Sequence, residues 1–142
     1  MNSRAALSRI FAGMLADVDD YVHLRELLVQ QFDAALHHRT GDIRAIGERI
    51  SELAAILDGR RRERMLLARL LIVDPSVRAS VAAVTRRLRG EARARFDSCW
   101  ASLEALVREC KALNQRNCRL LMDQHDIMRR VLDRDMDTYA PA

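Results

Sequence analysis

Histidine and carboxylate side chains are the residues of this sequence that could bind a metal ion. The histidines are His23, His37, His38 and His125. If residues 20–37 are helical, Asp20 and Glu26 lie near His23, and Asp33 lies one turn before His37. A di-metal helical bundle needs Glu-x-x-His motifs together with further carboxylates, and the chain contains no Glu-x-x-His. We therefore interpret the histidines as solvated or helix-capping residues and expect no metal and no cofactor.

Motifs of covalent and phosphate chemistry are missing as well. The sequence has no GxGxxG or GxxxxGK[ST] phosphate loop, no GxSxG elbow and no HExxH zinc motif. Its three cysteines form no CxxC pair, and an odd number argues against a disulfide framework. On one helix, Cys99 and Cys110 would lie about 16 Å apart along the axis, which is beyond disulfide reach. The sequence predicts small buried thiols in a reducing compartment, and no enzyme.

An arginine-rich region could bind phosphates. From Arg60 to Arg95 there are 11 arginines against three acids, a local charge of +8 in a chain whose net charge is +4. No aromatic residue is interleaved in the run Arg60–Arg64 to stack a base, and Glu63 interrupts it. The favoured interpretation is a solvated helix face, or one paired with acids of the first helix. A basic helical nucleic-acid binder is the alternative.

Composition indicates the elements that hold these residues. The chain has 142 residues, 49% of them apolar, with only 4% aromatic residues, five glycines and two prolines. Such a chain can bury a core and has few turn formers, so it predicts an all-α fold in a single domain, residues 1–142. No run approaches the length of a membrane span. We expect no membrane insertion and a cytoplasmic location.

Apolar spacing predicts a long first helix over residues 4–38. Its stripe follows steps of four and three, widened by two further residues, and includes Leu7, Ile10, Phe11, Met14, Val18, Tyr21, Leu24, Leu28 and Phe32. Arg25 interrupts the steps, with a stem that can lie along the seam. His37 and His38 suit a helix C-terminus, and Gly41 is expected to take the left-handed cap conformation.

A second helix is predicted to begin at Asp42, its expected N-cap, and to form an antiparallel hairpin with the first. Its coiled-coil seam is Ile43, Ile46, Ile50, Leu53 and Leu57. The next seam positions fall on Arg60 and Arg64, so the seam is expected to slip onto a rotated face that holds Met65, Leu66, Leu67, Leu70 and Leu71. Asp74 and Pro75 should stop the helix.

Residues 75–90 predict a short, poorly anchored helical connector. A last helix is predicted from Glu91 to about Asp135, followed by a frayed tail at 136–142. At about 1.5 Å per residue this helix would exceed roughly 60 Å and outreach the hairpin. The prediction is a three-helix, coiled-coil-like bundle whose C-terminal apolar face lacks an internal partner. Such a face invites another helix, from another protein or from a second copy of the chain.

The C-terminal third has a characteristic series of residues: Trp100 with Leu103, then Cys110, then Asn114-x-x-Asn117 followed by Leu120 and Leu121, and later Val131 and Leu132. This series resembles the FlgN family of flagellar export chaperones. The hairpin with its "TGD" turn is similar in layout. One departure is Cys118, which stands where the family usually has glycine.

The resemblance implies a cytoplasmic chaperone of type III flagellar export. It implies binding to the C-terminal amphipathic segments of hook-filament junction proteins, protection from premature assembly, and delivery to the export gate. A self-associating structural coiled coil is a further alternative, and a homo-oligomer stays open.

The predicted partner-binding residues are Asn114, Asn117, Leu120, Leu121, Ile127, Met128, Val131 and Leu132. Among the apolar residues of this set, Met128 suits a binding surface because its flexible thioether adapts to more than one partner. Asn117 lies between Leu113 and Leu120 on the packed face, where one polar residue can fix register. We expect the asparagine pair to hydrogen-bond either to the hairpin or to the incoming segment. Binding of water molecules inside the bundle is the alternative.

Overall fold

A computed structural model describes residues 1–121 and 130–134 of the protein. Four α-helices follow one another in the first of these ranges: α1 (Ser3–Leu36), α2 (Thr40–Leu71), α3 (Val81–Arg86) and α4 (Gly90–Leu120). Residues 130–134 are also helical. The predicted all-α class is confirmed, and no strand occurs in the described residues.

Helix α1 is the central element of the bundle, because α2 and α4 both pack on it and do not approach each other. Helix α2 runs antiparallel to it, as its cross-helix contacts show: Arg9 with Glu63, Asp20 with Arg60, and His23 with Arg49. Helix α4 runs parallel to α1, since its contacts ascend together: Phe11 with Phe96, Tyr21 with Cys110, and Leu28 with Asn117. The predicted antiparallel hairpin is therefore present.

The main core lies where α1 faces the two flanking helices. Its largest fully buried apolar residues are Tyr21, Ile10, Met14, Leu24, Leu27, Leu28, Leu57, Leu103 and Leu132. A second, smaller cluster joins the end of α2 to α3 through Ala68, Ile72, Ala83 and Val84. Most of the apolar spacing seen in the sequence is thus used for internal packing.

The turn between α1 and α2 differs from the prediction. His38, not Gly41, takes the left-handed conformation with φ of 54°. Helix α2 begins at Thr40, so Asp42 lies in its first turn instead of capping it. There Asp42 pairs with Arg39 at 3.3 Å, and a carboxylate in a first turn interacts favourably with the helix dipole.

The predicted slip of the α2 seam was wrong. Arg60 and Arg64 stay on the seam because Asp17 lies opposite them on α1 and accepts a hydrogen bond from each at 2.6 Å. The seam therefore does not rotate, and Leu66 and Leu70 point to solvent. An ion pair takes the place of the missing apolar contact.

The connector is better anchored than its sequence suggested. Ser80 caps α3 by accepting a hydrogen bond from the Ala83 amide at 3.0 Å. All residues from Val81 to Thr85 are buried. Small side chains let this short helix lie close against the end of α2, which corrects the expectation of a loose connector.

The last long helix is shorter than predicted. Helix α4 ends at Leu120, with Leu121 as its C-cap at φ −119° and ψ 85°. Residues 130–134 do not extend its axis, because Asp133 pairs with Lys111, which lies about two and a half turns before the end of α4. The continuous helix to Asp135 was wrong, and the expected tail at 136–142 lies outside the described residues.

Candidate helix-binding site

Residues 130–134, which we call the return segment, fold back onto the bundle. Val131 is 5% exposed and Leu132 is fully buried, and both belong to the main core. The prediction of an uncovered C-terminal face is therefore wrong at these two residues. The chain covers them itself.

The return segment lies between α2 and α4. It shares an open cleft of ≈ 250 Å³ with Ser51, Ala54, Ala55 and Asp58 of α2. On the other side Asp133 reaches Lys111 of α4. Since α2 and α4 do not meet, they leave a groove above α1, which we call the inner groove. Its observed occupant is a helical segment with an apolar face.

Asp58 links the return segment to an arginine cluster on α2. Its carboxylate accepts hydrogen bonds from Arg61 at 3.1 Å and from Arg62 at 2.6 Å, and Arg134 of the return segment lies 3.7 Å away. Burial would raise the pKa of Asp58, but the hydrogen bonds from Arg62 and Arg61 outweigh it and lower the pKa below its usual value. Asp58 therefore stays ionised at neutral pH and can hold all three arginines.

The two asparagines face the interior of the bundle. Asn117 is fully buried, and its Nδ2 donates to the Leu28 carbonyl at 2.8 Å and to Gln31 Oε1 at 3.1 Å. Asn117 was expected to hydrogen-bond either to the hairpin or to an incoming segment, and the bond to the hairpin is present. Asn114 is 1% exposed, and neither its nitrogen nor its oxygen has a hydrogen-bond partner among residues 1–121 and 130–134.

The other predicted binding residues are scattered. Leu120, at the end of α4, is 43% exposed, and Leu121 caps that helix. Ile127 and Met128 lie outside the described residues. The structure thus brings Val131 and Leu132 into the inner groove and leaves Leu120 on the surface.

The first arginines of the basic region are committed to internal pairs. Asp17 is fully buried beneath the α1–α2 contact, where Arg60 and the 1%-exposed Arg64 bind it. Arg60 also binds Asp20 at 2.6 Å. The favoured interpretation, pairing with acids of the first helix, is confirmed for Arg60 and Arg64.

A scan against protein-family models and a search of curated proteins each found no match. Among solved structures, the chain is similar to a protein from Pseudomonas aeruginosa provisionally described as the flagella synthesis protein FlgN. The two superpose with a TM-score of 0.70 at 18% identity, over 86% of this chain and 91% of the other. The chain has a FlgN-like fold.

Sequence reasoning missed one feature of this FlgN-like fold. Helix α1 carries a second apolar row, the outer stripe, on the side away from the inner groove. Its members are Phe11, Leu15, Val18, Val22, Val29, Phe32 and Leu36. The signal was present as unbroken steps of four and three through Arg25. The outer stripe was missed because the predicted stripe combined residues of this row with residues of the neighbouring, buried row.

Three further observations concern metal ions, thiols and membranes. Within the described ranges, no group of three or more His, Cys, Asp or Glu side chains could hold a metal ion. Cys99 and Cys110 are buried as predicted, and burial raises the pKa of the Cys110 thiol to about 12. No helix there is both long and apolar enough to cross a membrane.

Proposed function

We propose that the protein is a cytoplasmic chaperone of flagellar type III export. Its cargo would be the C-terminal amphipathic helices of hook-filament junction proteins, which it would keep from premature assembly and bring to the export gate. The FlgN-like fold supports the flagellar context. The feature that supports helix binding is the inner groove.

One observation carries this proposal: the inner groove holds the apolar side of a helical segment. Val131 and Leu132 of the return segment are buried there. A groove that receives such a face has the apolar floor and the width that an amphipathic helix requires. A cargo helix has the same chemistry.

Cargo binding in this mechanism begins when the return segment leaves the groove. Val131 and Leu132 then exchange an internal contact for one with cargo, together with Leu120, Leu121, Ile127 and Met128. Asn114 and Asn117 lie at the end of the α1–α4 contact and set where the exposed surface begins. The segment therefore acts both as a cover and as part of the binding surface.

The energy needed for this release is modest. Burying two apolar side chains of this size contributes about 1.5–3 kcal/mol each, and exposed ion pairs such as Lys111–Asp133 contribute roughly 0–1 kcal/mol. Ordering the segment opposes these gains. A cargo of micromolar affinity, worth about 8 kcal/mol, can supply the difference.

Calorimetry with peptides from the C-terminal ends of junction proteins tests the proposal. The full chain should bind, and a chain truncated after Leu121 should bind at least about tenfold more weakly, because it lacks Val131 and Leu132. Asp133→Ala removes the pair with Lys111 and loosens the cover, so it should strengthen binding by about twofold to threefold.

Arg93→Ala is the matched control. It removes an exposed pair with Asp97 near the start of α4, far from the return segment, and should leave the affinity unchanged. If the truncated chain binds these peptides as tightly as the full chain, the predicted C-terminal binding residues are wrong. If neither binds them, the cargo assignment fails.

A further inference from the structure

The outer stripe gives α1 the pattern of one strand of a coiled coil. Its apolar residues follow steps of four and three along α1 from Phe11 to Leu36, with Arg25 as the one polar member. Arg25 turns its guanidinium toward α4, where it binds Glu109 at 3.0 Å. The row therefore keeps the spacing that lets another helix insert its side chains between these.

This row is only partly covered by the chain itself. Leu15, Val29 and Leu36 are 49%, 49% and 52% exposed, whereas Phe11, Val18, Val22 and Phe32 are half-buried. Leucine and valine repeating in register along one helix form a continuous apolar surface, unlike scattered exposed side chains. Phe11, Val18 and Val22 also pack against the main core, so the exposed part of the row is centred on Leu15, Val29 and Leu36.

Helix α4 forms one wall of a groove beside the stripe. Phe11, Leu15 and Val18 line an open cleft of ≈ 480 Å³ with residues of α4 that are mostly small: Ala94, Ser98, Cys99 and Ser102, together with Arg95. Small side chains let the backbone of a further helix come close. We call this cleft, together with the outer stripe, the outer groove.

The opposite edge of the outer stripe is acidic. Asp19, Glu26 and Asp33 are all exposed and lie seven residues apart, so they form one row along the helix. Asp33 binds Arg39 at 2.7 Å. Asp19 and Glu26 make no ion pair with any residue in the described ranges. Acids at this flanking position of a heptad select basic residues on a partner helix.

We propose that the outer groove binds an amphipathic α-helix of another protein, with an apolar heptad on the outer stripe and lysines or arginines facing Asp19, Glu26 and Asp33. This interaction does not rest on the proposed cargo function, because it uses the side of α1 away from the inner groove. It gives the protein a second, separate docking surface.

Charge argues against a second copy of the chain as the occupant. A two-fold axis perpendicular to α1 would pair two copies of α1 antiparallel, with the acidic edge of one copy against the acidic edge of the other. Like charges at facing positions disfavour that pairing. The return segment is excluded as well, since Val131 and Leu132 are already buried on the other side.

A pair of synthetic peptides tests the proposal on the full-length protein. Both are four-heptad amphipathic helices with leucine at the two core positions, and one edge carries lysine in the first peptide and glutamate in its twin. We expect the lysine peptide to bind about tenfold more tightly, because lysine pairs with Asp19 and Glu26 whereas glutamate is repelled by them. The protein's net charge of +4 favours the opposite order, so nonspecific attraction would not produce this result.

Three variants locate the binding. Leu15→Asp combined with Val29→Asp should abolish binding of the lysine peptide. Leu66→Asp combined with Leu70→Asp, at similarly exposed leucines of α2, is the control and should have no effect. Asp19→Lys combined with Glu26→Lys should reverse the preference, so that the glutamate peptide binds more tightly.

Three results would overturn the proposal. The first is a wild-type preference for the glutamate twin, or no preference between the peptides. The second is a loss of binding in the α2 control as complete as in the outer-groove variant. The third is a wild-type dimer in sedimentation that Leu15→Asp with Val29→Asp dissociates, in which case the occupant is a second copy. Circular dichroism of each variant verifies that it is folded.

Discussion

Helix α1 has two apolar sides that the rest of the chain treats differently. On the inner side, Met14, Tyr21 and Leu24 are fully buried beneath α2, α4 and the return segment. On the outer side, Leu15 and Val29 remain about half exposed in rows of the same spacing. Both sides satisfy the pattern of an amphipathic helix. Apolar periodicity therefore shows that a surface can bind a helix. The positions of the neighbouring elements decide whether a helix of the same chain covers it.

Acidic residues show the same contrast two positions apart. Asp17 is buried with Arg60 and Arg64, whereas Asp19 is exposed on the outer edge. Asp17→Asn should lower the free energy of unfolding by about 3–5 kcal/mol, because Arg64 would keep a buried charge without its carboxylate. Asp19→Asn should change it by less than about 0.5 kcal/mol. Urea denaturation of both variants measures the comparison, and equal effects would contradict the burial difference.

Truncating one leucine on each side gives a smaller effect of the same kind. Leu132→Ala should destabilise the protein by about 2–3 kcal/mol, since it removes a fully buried side chain from the inner groove. Leu15→Ala should have an effect below about 1 kcal/mol, because that side chain is half exposed. Thermal unfolding of the two variants checks this. If Leu132→Ala were as mild as Leu15→Ala, the return segment would not close the inner groove.

Acid should weaken the contacts that Asp58 makes on the inner side of the bundle. The pKa of Asp58 is lowered in the folded state, so its stabilising contribution is complete above the unfolded value of 3.8 and is lost as the pH falls through the lower, folded value. Unfolding free energies of wild type and Asp58→Asn, measured between about pH 2 and pH 6, should therefore converge toward the acid end. The effect on the free energy of unfolding should be smaller than that of Asp17→Asn or Leu132→Ala. Parallel curves would show that Asp58 is not the group responsible.

Helix positions were predictable to within a few residues where apolar spacing and caps agreed, as in α1. Prediction failed where a residue's role depends on a partner far away in the sequence. The break at Arg60 and Arg64 looked like a shift of seam because nothing nearby reveals that Asp17 will lie opposite them. Likewise, α3 was predicted to be poorly anchored because nothing in its own sequence reveals that it will pack against the end of α2.

The candidate site was predictable in part for the same reason. Asn117 was correctly placed on the packed face, because its position follows from its spacing to Leu113 and Leu120. Val131 and Leu132 were correctly marked as an apolar face, but their partner was not foreseen. A helix drawn straight from Glu91 to Asp135 carries them away from α2, while the end of α4 at Leu120 allows them to return.

The sequence by itself determined that this protein is a helical bundle, that its first two helices form an antiparallel hairpin, and that its thiols Cys99 and Cys110 are buried. These follow from local spacing and composition, which act over a few turns of helix. Only the tertiary structure decided which apolar row of α1 is covered, which arginines are paired, and where the return segment lies. Each of those outcomes depends on which distant surfaces meet. A row of apolar residues has the same spacing whether another part of the chain covers it or not.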